Sequence, residues 1–154
     1  MMRRAIEGDI PQILELLRQV NLVHYNARPD VFKKATKYTE KELESIICDQ
    51  NRPIFVHEDE FGIVNGYCFC VFIEQRGSNL LQDMKTLYID DLCVDENVRG
   101  KGVGKKLYEY VVDHAKKEGY YNLTLNVWSC NENALRFYEK MGLVPQKIGM
   151  EKIL

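Results

Sequence analysis

From Arg99 to Lys106 the chain packs four basic residues and three glycines into one short stretch, Arg99-Gly100-Lys101-Gly102-Val103-Gly104-Lys105-Lys106. Glycines let a backbone turn sharply and approach a ligand closely. The first N–H groups of a following helix have no internal partner and carry the positive end of its dipole. The stretch therefore reads as an anion site, with a phosphate or pyrophosphate as its natural occupant. Two common nucleotide readings fail on spacing. Reading back from Gly104-Lys105, the phosphate-loop pattern needs glycine where Arg99 stands and Ser or Thr where Lys106 stands. The dinucleotide pattern starts well at Gly100-Lys101-Gly102, but its last glycine arrives one residue early, at Gly104. Taken alone, a solvated basic helix start is nearly as good a reading.

Other chemistry-bearing residues are dispersed. His24, His57 and His114 have no zinc-type spacing, so no metal is expected. The five cysteines, Cys48, Cys68, Cys70, Cys93 and Cys130, read as reduced and mostly buried thiols. Cys68 and Cys70 share one strand face and read as core. Lys plus Arg total 21 against 23 Asp plus Glu, a net charge of −2, which argues against a general nucleic-acid or membrane-surface binder. No apolar run approaches a membrane span. The start, Met1-Met2-Arg3-Arg4-Ala5-Ile6-Glu7-Gly8-Asp9, has no apolar targeting core, so a cytoplasmic protein is the expectation.

The elements that must position the basic turn follow from periodicity. With 45% hydrophobic and 29% charged residues over 154 positions, one continuous domain, 1–154, is expected. Residues 1–7 read as a strand, and Asp9 as the cap of a helix carrying Ile13, Leu16, Leu17 and Val20. Thr39 and Glu42 fit a capping box for a second helix. Strands are expected at 53–57, 63–74 and 86–94, with Gly66 at a bulge. A helix from Val103 to Glu118 is to end at Gly119, and a strand is expected over 121–128. A helix from Asn131 to Met141 is to end at Gly142. An extended tail is to place Val144, Ile148, Met150 and Ile153 in apolar contacts. The order β-α-α-β-β-β-α-β-α-β makes a layered α/β domain with a mixed sheet.

With its flanks the turn resembles the GNAT superfamily of acyl-CoA N-acyltransferases. Arg99-x-x-Gly102-x-Gly104 matches that family's [QR]-x-x-G-x-[GA] motif, after the strand Leu87-Tyr88-Ile89-Asp90-Asp91-Leu92-Cys93-Val94. Downstream, Asn131-Glu132-Asn133-Ala134-Leu135-Arg136-Phe137-Tyr138-Glu139-Lys140-Met141-Gly142-Leu143 is similar to N-x-x-A-x-x-F-Y-x-x-x-G-F, with Leu143 in place of the final Phe. The element order agrees along the whole chain.

The resemblance implies a splayed central sheet flanked by helices and acetyl-CoA as co-substrate. Backbone amides from Arg99 through Gly100, Lys101, Gly102, Val103 and Gly104 would hold the pyrophosphate, and Lys101, Lys105 or Lys106 the further phosphate. The pantetheine arm would run along Leu92, Cys93 and Val94 and reach Asn131. Tyr138 falls at the family's acid position, and Asp90 at that of its base, acting directly or through water. The Asp90-Asp91 pair is loosely similar to the acidic pair of diamine acetyltransferases, which makes Asp91 a substrate-binding candidate. The reaction chemistry agrees: a phenol can donate to a departing thiolate, and an ammonium must lose a proton before it attacks. In a regular strand Asp90 and Asp91 point to opposite faces. The Leu92 N–H is a candidate oxyanion donor. Cys93 reads as packing rather than as a nucleophile, since no His lies near it. Trp128 reads as core. Acceptor specificity is expected from residues 20–40 and 77–84, with His24, Tyr25, Arg28 and Tyr38 as candidates. The expected activity is acetyl transfer to a primary amine of a small molecule or peptide. The alternative is a non-catalytic acyl-CoA-binding module of the same fold. A homodimer, common in the family, is compatible with the sequence but not marked in it.

Overall fold

The computed structural model describes residues 1–154. Five strands form one sheet in the order β1 (Met2–Arg4), β2 (Ile54–Glu58), β3 (Val64–Gln75), β4 (Met84–Val94) and β5 (Asn122–Leu125). The first four pair antiparallel and β5 joins β4 in parallel, so the sheet is mixed, as expected. Four helices complete the fold: α1 (Ile10–Ala27), α2 (Glu40–Cys48), α3 (Val103–Lys117) and α4 (Glu132–Lys140). No helix is long and apolar enough to cross a membrane.

Helices cover both faces. On one face α1 and α2 bury Ile13, Leu16, Leu17, Leu43 and Ile46 against Val56, Tyr67 and Phe69. On the other, α3 lays Val103, Leu107, Val111 and Ala115 against Cys68, Cys70, Leu87 and Ile89. The four-residue steps along α3 are what aim this stripe inward. The expected capping box is present: Thr39 accepts from the Glu42 N–H, and Glu42 accepts from the Thr39 N–H. Asp9 is not a side-chain cap. Its carboxylate is drawn instead to Arg3, at 2.7 and 2.9 Å, and to the Ile6 N–H.

Two irregularities shape the sheet. Asn65 is the extra residue between β2 and β3, beside Gly66. Gly66 itself lies under α3, where a Cβ would come within 2.9 Å of Leu107 and 3.3 Å of the Cys93 carbonyl. The second irregularity is in β4. Phe69 pairs with Asp91 and Cys70 with Ile89, leaving Asp90 as a bulge.

Two expectations are corrected. Residues 143–154 form no strand, and Val144, Ile148, Met150 and Ile153 are 71 to 89% exposed. Their spacings of four, two and three residues fit no strand alternation. The strand expected over 121–128 is shorter, because pairing with β4 stops at Leu125 and the Asn126 side chain turns to the Tyr88 hydroxyl. α1 ends at Ala27, two residues before Pro29.

Candidate active site

β4 and β5 share a ladder only from Thr86 to Ile89. Beyond Ile89 the strands part, so the edge of β4 from Asp90 to Val94 is left without a strand partner on that side. This is the expected splay, and it opens onto the basic turn.

A short 3-10 turn, Glu96–Val98, leads into that turn. Gly100 and Gly102 adopt φ of +81° and +79°, the left-handed region that disfavours other residues. Gly102 then starts α3 with no side-chain cap and no acidic residue in the first turn. The N–H groups from Gly100 to Lys105 donate to no backbone acceptor, and the helix ladder begins with Lys106 N–H to Gly102 C=O. This cradle of free amides at a helix N-terminus fits a pyrophosphate. Lys101, Lys105 and Lys106 are exposed around it, with Lys105 3.7 Å from Glu109. Arg99 folds back instead, its Nε donating to the Val94 carbonyl at 3.1 Å. Gly104 has another role: a Cβ there would touch the Phe137 ring and Val94 at 3.5 Å.

α4 closes the opposite wall. Asn131 caps it, its side chain accepting from the Ala134 N–H at 3.2 Å. Its oxygen is therefore engaged in the cap, and its amide nitrogen is the part left for a ligand. Phe137 and Tyr138 stand edge to face, with ring centroids 5.2 Å apart. Tyr138 is half-buried, and burial foremost, then the negative charges that Cys68, Asp91 and Cys93 can carry, push its hydroxyl well above the usual tyrosine range. Leu92 and Val94 pack toward α3, whereas Cys93 is buried under α1 with its Sγ 3.6 Å from the Leu16 carbonyl. Burial pushes the Cys93 thiol up to about 12, so it stays protonated and inert, in keeping with packing.

The acid pair differs from expectation. Because Asp90 is the bulge, the alternation slips: Leu87 and Ile89 face α3, while Asp91 and Cys93 face α1. Both carboxylates then lie on the α1–α2 face. Asp90 accepts from the Tyr38 hydroxyl and sits 3.0 Å from Lys37 Nζ, which also donates to the Asp90 carbonyl at 2.9 Å. Asp91 accepts from the Tyr67 hydroxyl at 2.8 Å. Burial foremost raises the Asp91 carboxyl above the ordinary range, although Lys37 and Tyr67 act the other way.

The acceptor-side candidates scatter. Tyr38 joins the acid pair and stacks on Phe69, and Arg52 reaches its hydroxyl at 3.2 Å. His24 stacks on Phe32, and Trp128, 43% exposed rather than core, meets the same ring edge-on at 5.1 Å. Tyr25 lies under Lys34 and is not tied to the acid pair. Arg28 is held by Asp30 and Glu151, which anchors the tail to the end of α1. Lys37, Tyr67 and Arg52 were not singled out by the sequence. The one available cue was that Tyr67 shares its strand face with Phe69.

The model of the acetyltransferase (GNAT) family matches residues 15–143. Thialysine N-epsilon-acetyltransferase of Sus scrofa is 25% identical over 148 residues, covering 92% of this chain and 82% of its own. Glucosamine 6-phosphate N-acetyltransferase of Arabidopsis thaliana is 40% identical over 68 residues, 44% of each chain. The chain thus spans less than half the length of that relative. Among solved structures, a tetramutant of the BH1408 protein from Bacillus halodurans superposes with a TM-score of 0.96 at 29% identity, covering 100% of this chain and 99% of that one. The glucosamine-6-phosphate N-acetyltransferase structure from Arabidopsis thaliana gives a TM-score of 0.72 at 28% identity, covering 99% and 97%. With the match spanning most of the chain and both motifs standing where the fold requires them, the chain belongs to the acetyltransferase (GNAT) family.

Proposed function

We propose that the protein transfers the acetyl group of acetyl-CoA directly to a primary amine of a small molecule or peptide. The observation that carries this reading is the cradle of unpartnered amides from Gly100 to Lys105, opening beside the unpaired edge of β4, with Tyr138 of α4 free of any hydrogen-bond partner. The cradle takes the pyrophosphate, with Lys101, Lys105 and Lys106 supplying charge. The β4 edge at Leu92 and Val94 takes the amide-rich arm. Relatives named for acetylating amines support the same chemistry.

In the transfer, the amine lone pair attacks the thioester carbonyl carbon and the C–S bond breaks. The Leu92 N–H, on the open edge of β4, donates to the developing oxyanion. Full proton transfer from Tyr138 to a thiolate of ordinary pKa ~8.5 is uphill, because the hydroxyl is raised. Tyr138 therefore acts chiefly by donating a hydrogen bond to the departing sulfur. The acid pair Asp90 and Asp91 serves the incoming amine. Tyr25 stays a weaker acceptor candidate, lying away from the pair.

Release of free thiol from acetyl-CoA, followed across a panel of amines, tests the reading. The expected result is thiol release that saturates with at least one amine class. Tight acetyl-CoA binding without turnover on any amine would favour a non-catalytic acyl-CoA-binding module instead.

A further inference from the structure

The motif match points to Asp90 as the base, but the bulge distributes the two carboxylates unequally. Asp90 is already engaged on three sides, by Lys37 Nζ, the Tyr38 hydroxyl and, at its carbonyl, Lys37 again. Through Tyr38 it is tied to Arg52 as well. Asp91 has no ion-pair partner within 4 Å and accepts from the buried Tyr67 hydroxyl. Asp91 lies on β4 just past the point where β5 parts from it, next to Leu92 on the open edge. We infer that Asp91, seated by Tyr67 beside the β4 bulge, takes the proton from the acceptor ammonium, while Asp90 positions the segment before α2 against β4.

The inference rests on the acetyl-transfer reading. One proton passes from R–NH3⁺ to the Asp91 carboxylate, leaving a neutral amine. The C–N bond forms, and the C–S bond breaks with its electron pair going to sulfur. The second nitrogen proton is lost as the thiolate gains one, so amide and free thiol leave. Asp91 then returns its proton to water. A buried carboxyl held above the ordinary range is a better base for this step than an ordinary one.

The groups facing Asp91 are Lys37 before α2, Asp90 and Cys93 on β4, Tyr67 and Cys68 on β3, and Tyr138 on α4. They fix the signs of the test. Using the fastest amine in the panel, kcat and KM are measured against pH for Asp91→Asn, Asp90→Asn and Tyr67→Phe, with acetyl-CoA binding as the check on folding. Asp91→Asn should lower kcat by about 100-fold or more and abolish the acidic limb of kcat/KM. Tyr67→Phe removes a hydrogen bond that favours the carboxylate, so that limb should move to higher pH. Asp90→Asn removes a neighbouring negative charge, so the limb should move to lower pH, with KM raised more than kcat is lowered. An Asp91→Asn enzyme that keeps its acidic limb, or an Asp90→Asn enzyme that loses it, overturns the assignment. If Asp91→Asn does not fold, Tyr67→Phe decides, and an unmoved limb overturns it. A wild-type protein that acetylates no amine refutes the functional reading itself, whereas an active wild type with an insensitive Asp91→Asn variant refutes only this inference.

Discussion

Tyr138 has no hydrogen-bond partner within the protein, and burial keeps its proton in place at neutral pH. Both facts suit a donor waiting for a charge that exists only while a bond is breaking. Such an interaction is felt in kcat and not in binding. Tyr138→Phe should therefore lower kcat by about 100-fold, the low end for losing one hydrogen-bond donor to a developing negative charge. The dissociation constant for acetyl-CoA, measured by calorimetry, should stay within a factor of two or so. A loss of affinity with kcat intact would instead make the hydroxyl a binding contact. Tyr138 and the turn residues could be singled out because they stand in two short motifs, and Asp90 because it lies on the strand before the first of them. Lys37 and Tyr67 were not, because each meets its aspartate across 53 and 24 residues of sequence respectively. Such contacts depend on register, which residue types and short-range spacing do not encode.

Helices were legible where one face is buried, and strands by their composition. The α3 stripe carries a clean four-residue step and lies on the core, whereas β3 is buried on both faces from Val64 to Cys70 and shows as a run of β-branched and aromatic residues. The β4 bulge was not legible, since no glycine marks it, and a one-residue slip redirects every side chain beyond it. That slip brought Asp90 and Asp91 to one face. Glycines in the turn were legible as a group but not by role. Gly102 is fixed by its φ of +79°, whereas Gly104 has an ordinary helical backbone and space for a Cβ at 3.5 Å from Phe137. Gly102→Ala should thus cost about 1–2 kcal/mol of unfolding free energy. Gly104→Ala should be neutral or stabilising by up to about 1 kcal/mol, as alanine is the better helix former. Acetyl-CoA binding should weaken in both, in one by distorting the cradle and in the other by placing a methyl group near its mouth. Urea unfolding beside calorimetric titration separates the two effects.

At the scale of the whole molecule, the net charge of −2 hides an uneven distribution. The basic turn marks a donor end, and the likeness of Asp90-Asp91 to the acidic pair of diamine acetyltransferases implies an acidic acceptor end. Around the acid pair the charge differs from that, because Lys37 neutralises Asp90 and Asp91 is partly buried. The segment 28–38 beside the pair carries Arg28, Lys33, Lys34 and Lys37 against Asp30 alone. A potential of this sign repels an amine bearing extra positive charges and favours one that also carries an anionic group. At low ionic strength, kcat/KM should fall as further amino groups are added to the acceptor and rise when a carboxylate or phosphate is added. Raising the salt to about 0.5 M should compress both differences, since surface charges are then screened within a few ångströms. Lys37→Met should narrow the gap from the other side, by freeing Asp90 to face a cationic acceptor. A linear polyamine that outcompetes every anionic amine at low salt would show that the acid pair, not the surrounding lysines, sets the field an acceptor meets.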